Sequence, residues 1–214
     1  MLSGRPSRHA LNIVDRPIPK TRPEVPTVSF SAYAYLFGEL ISYATDRAAS
    51  ITELEERLDK VGYEVGTRML ELLSYREKQI KRKPEVLDVL KFIHSTAWPA
   101  LFGKAADDLQ QANAADDEYM ISDHDLLVGR YISIPKSYAT FVPGSIVAGI
   151  VRGMLSAAGF PARVSAHAVE APSSGGGSGR GGGGGAARPS TTILVKFDAS
   201  VMQRQAALES ARRG

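Results

Sequence analysis

The chain has 214 residues, 43% hydrophobic and 23% charged, with no cysteine and a formal net charge of +3. That composition belongs to a globular protein and excludes a wholly disordered chain, a collagen and a coiled-coil rod. The missing thiol excludes disulfides, cysteine nucleophiles, thiolate metal sites and S-acylation.

The net charge resides in residues 1–26, where Arg5, Arg8, Arg16, Lys20 and Arg22 stand against Asp15 and Glu24. The rest of the chain is balanced, so it offers no basic face for nucleic acid. Five prolines and no hydrophobic periodicity make 1–26 read as a disordered basic tail, free to touch an acidic membrane surface. Residues 27–214 read as a single domain. A second low-complexity stretch, 173–190, holds nine of the twenty glycines and reads as a disordered, passive insertion into that domain. No secretory leader is evident in the first 26 residues.

In chain order, residues 30–48 predict a first helix. Phe30, Tyr33, Tyr35, Leu36, Phe37, Leu40, Ile41 and Tyr43 occupy more than one of its faces. A surface helix of a monomer carries one apolar stripe. A helix apolar on two sides lies deep in a core or meets a partner. The second helix begins at Ser50-Ile-Thr-Glu53, a capping box. Ile51, Leu54, Leu58, Val61, Val65 and Leu72 recur along it at helical spacing, and Arg68 interrupts the stripe. Gly62 and Gly66 fall on one side. Each costs up to ~1 kcal/mol in a helix interior, which points to close approach of another backbone, from inside the domain or outside it.

The basic run Arg76, Lys78, Lys81, Arg82, Lys83 reads as a solvated connector. Pro84 suits the first turn of a third helix. Val86, Leu87, Leu90, Phe92, Ile93, Ala97 and Trp98 are its apolar side, and Pro99 is expected to bend or end it. Residues 105–129 then hold seven acids and no Lys or Arg. Within them, 109–112 and 119–122 read as short strands around an Asp116-Asp117-Glu118 turn. Residues 131–134 are extended up to Pro135. A fourth helix spans 144–158 and ends at Gly159-Phe160-Pro161. The stretch 141–160 is the best candidate for a membrane span, but Arg152 at its middle costs ~2.5–3.5 kcal/mol there, so it reads as a core helix. Residues 163–169 and 192–197 form a last hairpin across the glycine tract, and a final helix spans 199–212.

The sequence lacks a phosphate-binding loop, a dinucleotide fingerprint and a nucleophile elbow, since Pro143-Gly144-Ser145 wants the second glycine. Of His9, His94, His124 and His167, only His124 has neighbours of metal-ligand type, Asp123 and Asp125. Adjacent residues on a strand point to opposite faces, so this triplet reads as an acidic turn. The expectation is an interaction protein without catalytic residues, metal or cofactor, its anomalies being surplus apolar surface and helix-packing glycines at 62 and 66.

Four segments carry a family resemblance. They are Phe30 to Tyr43 followed by Ser50-Ile-Thr-Glu-Leu-Glu-Glu-Arg-Leu58; Gly62-Tyr-Glu-Val-Gly-Thr-Arg-Met-Leu-Glu-Leu-Leu73; Ala97-Trp-Pro-Ala-Leu-Phe-Gly-Lys-Ala-Ala-Asp107; and Tyr131-Ile-Ser-Ile-Pro135 with Phe141 through Gly159-Phe-Pro-Ala162. In this order they resemble the small-subunit family of the TRAPP vesicle-tethering complex, over residues 27–212. The resemblance implies an α+β fold, helix-rich with a four-stranded antiparallel sheet, in the order ααα-ββ-α-ββ-α. It implies a cytoplasmic scaffold subunit, peripheral at cis-Golgi and endoplasmic reticulum membranes, that pairs with related small subunits through its first two helices. It further implies a core that acts as guanine-nucleotide exchange factor for a Rab GTPase in ER-to-Golgi transport. Three departures stand out: there is no cysteine to acylate as in a relative, Val142-Pro143 replaces a polar residue and a cysteine, and the glycine tract replaces a short turn.

Phe30, Tyr33, Phe37, Leu40 and Ile41 are the expected partner anchors, with Leu54, Leu58, Val61 and Val65 opposite or beneath them. Such a face buries about 800 Å² per side in a standard interface. The alternative is a stand-alone lipid or acyl-chain binder of similar fold.

Overall fold

A computed structural model describes residues 29–76, 84–112, 115–130, 132–169 and 190–213. The tail of 1–26, the basic run beyond Arg76 and all but Ser190 of the 173–190 insertion lie outside the described residues.

Helix α1 spans Phe30–Thr45, and the Ser29 hydroxyl accepts the Ala32 N–H at 3.3 Å to cap it. Helix α2 spans Ile51–Arg76. The Ser50 hydroxyl accepts the Glu53 N–H at 3.1 Å, while the Glu53 carboxylate reaches the N–H of Ala49, one residue beyond the box the sequence suggests, at 2.8 Å. Helix α3, Val86–Phe92, runs through a wide turn at Ile93–Ala97 into α4, Trp98–Phe102. Pro99 does not end this helix. It lacks an N–H and its ring crowds the carbonyl one turn back. The chain widens there, with the Trp98 N–H donating to Ile93 five residues earlier, and continues to Gly103 at φ 80°.

Strands β1 (Asp108–Gln111) and β2 (Glu118–Asp123) form the first hairpin; β3 (Ala162–Val169) and β4 (Ser190–Phe197) form the second. They join antiparallel through β2 and β4, giving the order β1-β2-β4-β3. Helix α5 spans Ser145–Ala157, and α6 spans Ala199–Arg213. The chain is therefore helix-rich α+β, with three helical segments, hairpin, helix, hairpin and helix, α3 and α4 being continuous through the wide turn.

Helix α5 is the middle of the molecule. From Ser145 to Leu155 every residue except Arg152 is buried, because β3 lies on one side and α2 on the other. The α2–α5 contact is made by glycines on both helices. A methyl carbon built on Gly62 or Gly66 would collide with the backbone of Ile146 or Ile150, and one on Gly149 or Gly153 with the backbone of Asp59 or Tyr63. The 141–160 segment is thus a core helix, and its charge has a partner. The Arg152 guanidinium pairs with Asp59 and lies 4.6 Å from the centre of the Tyr63 ring.

Candidate interaction surface

Helix α1 is held by a narrow strip. Phe37 and Ala44 are buried, and Tyr33, Leu40 and Ile41 are half-buried against the core. The Tyr33 ring stacks on Phe37 with centroids 6.0 Å apart, and Phe30 tilts against Tyr33 at 5.9 Å. Burial raises the Tyr33 phenol above its ordinary pKa. Away from that strip α1 leaves large apolar side chains open: Tyr35 is 79% exposed, Leu36 72% and Tyr43 55%. The Arg47 guanidinium covers one face of the Tyr43 ring at 3.7 Å.

Helix α2 presents Val61 and Val65 to solvent, 38% and 39% exposed. Between α1 and α2 runs an open groove of about 350 Å³, with Leu40, Tyr43, Leu58 and Val61 among its lining residues. Glu53, Glu56, Arg57 and Lys60 are the charged members of that lining. The result is an apolar patch bordered by charge, the composition of a protein-binding surface.

The expected partner residues divide. Phe30, Val61 and Val65 are exposed; Tyr33, Leu40 and Ile41 are partly so. Leu54 and Leu58, expected opposite or beneath the anchors, are buried within this chain, and so is Phe37, expected as an anchor. Leu54, Leu58, Gly62 and Gly66 follow one another at four-residue steps along α2 and are buried. Val61 and Val65 project within about 20° of Leu54 around the helix but lie further along it, where they are left partly open. Tyr35, Leu36 and Tyr43 are the outer residues missing from the expected set; their signal was their position off the 33/37/40/44 stripe. Gly62 and Gly66 lie against α5 in the same chain.

The acidic region around His124 forms a different arrangement from a metal site. Asp123 is 1% exposed. Its carboxylate accepts the Trp98 indole N–H at 2.9 Å, the Lys104 ammonium at 2.7 Å and the Asp125 N–H at 2.9 Å. Asp107 accepts the His124 N–H at 2.6 Å and the Lys104 ammonium at 3.4 Å. The His124 hydrogen bond, with Lys104 nearby, outweighs burial and holds the Asp107 carboxyl below the usual carboxylate range. Burial pulls the Lys104 ammonium down, but Asp123 and Asp107 together hold it above the ordinary lysine value. This cluster fastens α4 to β2. Among the described residues no group of His, Asp or Glu converges to hold a metal.

A family model described as "Transport protein particle (TRAPP) component" matches residues 33–198. The chain belongs to the TRAPP component family. Helices α1 to α5 and all four strands fall almost wholly within the match, so the open α1–α2 surface is part of the TRAPP domain. The chain is 44% identical to trafficking protein particle complex subunit 5 of Dictyostelium discoideum over 200 residues, 94% of this chain and 100% of that one. It is 36% identical to subunit 5 of Homo sapiens, covering 97% of this chain and 99% of the human one. Identity to subunit 31 of Saccharomyces cerevisiae is 28%, over 83% and 78% of the two chains. Membership carries a role as a TRAPP subunit in vesicle trafficking.

Among solved structures, subunit 3 from Naegleria fowleri, covalently bound to palmitic acid, shares the fold at a TM-score of 0.62 and 17% identity. The match covers 79% of this chain and 95% of that one. With no cysteine, this TRAPP chain has no thiol to form an acyl thioester, and its residues do not fit that means of attachment. Among the described residues no helix is long and apolar enough to cross a membrane.

Proposed function

We propose that this chain is a non-catalytic scaffold subunit that pairs with a related TRAPP small subunit through the outer faces of α1 and α2. The resulting core acts as guanine-nucleotide exchange factor for a Rab GTPase in ER-to-Golgi transport. The work is done in the cytoplasm, at the surface of cis-Golgi and endoplasmic reticulum membranes. The observation that carries the pairing is the exposure of large apolar side chains on both helices, Tyr35, Leu36 and Tyr43 on α1 and Val61 and Val65 on α2, with Tyr43 and Val61 lining one groove. Aromatic and aliphatic side chains at the centre of such a patch dominate binding energy when a partner excludes water from them.

Leu36→Asp is the test. Leu36 is 72% exposed, so the free chain keeps its thermal midpoint, while co-purification with a co-expressed related small subunit is lost. Undiminished co-purification overturns the pairing. Phe37→Asp is a poorer choice, because Phe37 is buried and its loss unfolds α1 from the core. The alternative reading, a stand-alone acyl-chain binder, draws on the palmitate-bound fold relative. Native mass spectrometry of a monomer carrying fatty acid is the result that would replace the scaffold reading.

A further inference from the structure

The sheet ends on two unlike edges. β1 is four residues long and begins with an acid, which makes it a poor template for another strand. β3 is eight residues long, contains neither proline nor lysine, and among the described residues pairs with β4 alone. Such an edge presents a row of backbone donors and acceptors without strand partners. Along it runs an open cleft of about 540 Å³, lined by β3 from Arg163 to His167, by Glu55, Glu56 and Asp59 of α2, and by the start of α5.

Charge runs across the sheet in one row. Glu118 of β2 stands opposite Lys196 of β4, which stands opposite Arg163 of β3. The Lys196 ammonium binds the Glu118 carboxylate at 2.7 Å. That hydrogen bond raises the lysine, while Arg163 acts against it. Arg163 itself is exposed and makes no ion pair among the described residues. The row therefore reads acid, base, base, open edge, and cross-strand pairing favours an acid in the next position. On the α2 side, Asp59 is paired with Arg152, and Glu55 accepts the Val142 N–H at 2.9 Å. Glu56 remains, so the cleft suits a segment with a single carboxylate and disfavours an acidic tract.

We propose that the free edge of β3 receives an extended segment of an assembly partner as a fifth strand, with an acidic side chain in register with Arg163. This rests on the reading of the chain as an assembly subunit, but the site is the β3 edge and not the α1–α2 groove, with whose lining it shares only Glu56. Strand addition supplies affinity through backbone hydrogen bonds and selectivity through alternate side chains. An α2 wall along the cleft suits one strand better than the whole sheet of a second copy.

Hydrogen exchange of the full chain, alone and co-expressed with other small subunits of its complex, tests this. Amides of 162–169 should slow on assembly, and Arg163→Glu should return their exchange toward the free-chain rate by about tenfold, whereas Arg163→Lys keeps the protection. Protection that appears in α1 and α2 while 162–169 are unchanged overturns the strand proposal and leaves the pairing standing. Protection of 162–169 without any in α1 and α2 does the reverse. No protection in either segment overturns both. Protection of 162–169 in the isolated chain that grows with its concentration assigns the edge to a second copy and overturns the proposal.

Discussion

Asp123 and Trp98 are each costly alone: a buried carboxylate and a buried indole N–H both require partners. They meet at 2.9 Å across 25 residues of sequence. Trp98→Phe removes the donor and leaves a carboxylate oxygen short of a partner, which should cost ~1–3 kcal/mol in a urea melt. Asp107 provides a pH handle. Its folded pKa lies below its unfolded one, so the stability it contributes is complete above the ordinary aspartate value. That stability is lost as pH falls through the lower, folded value. Thermal midpoints measured from neutral pH into strong acid should fall less steeply for Asp107→Asn. Alternation along β2 places Asp123 on the same side as buried Ile121, and that parity was the available signal for a buried acid. Which donors would come to it was a matter of tertiary contact.

At the scale of elements, the four glycines of the α2–α5 contact are why the two helix backbones can touch. Gly149→Ala improves helix propensity by up to ~1 kcal/mol, yet its methyl meets the Asp59 backbone, which cannot yield as a side chain would. Net destabilisation of ~1–3 kcal/mol is expected in chemical denaturation. Gly38 is the contrast. In α1 nothing lies within 4 Å of a methyl built there, so Gly38→Ala should stabilise by ~0.4–1 kcal/mol in the same assay. The glycine spacings on both helices were visible in the chain. That the two pairs interlock with each other, and not with a partner subunit, depended on how α5 packs between α2 and the sheet.

For the whole molecule, the proposed pairing through α1 and α2 predicts that the free chain is less stable than the assembled one. A partner that binds only the folded form at a hundredfold excess over its Kd adds about 2.7 kcal/mol. Differential scanning calorimetry should show the midpoint rising with partner concentration for the wild-type chain and staying flat for Leu36→Asp. The same reasoning separates this face from the β3 edge. The first is a hydrophobic surface whose occupation is driven by burial, the second a row of backbone groups whose occupation is driven by hydrogen bonding.

The sequence by itself determined the order of helices and hairpins, the burial of 141–160 despite Arg152, and the family. The first two follow from local periodicity, capping residues and the cost of a charge in an apolar stretch, and the family from the resemblance of four segments, all read along the chain. Only the tertiary structure decided how much of each apolar side stays open. Leu54 and Val61 lie seven residues apart, close to the same side of α2, yet Leu54 is buried and Val61 open to solvent. Periodicity names the apolar side of a helix but not the length of it that the rest of the fold covers; that is set by where α1 and α5 dock on α2.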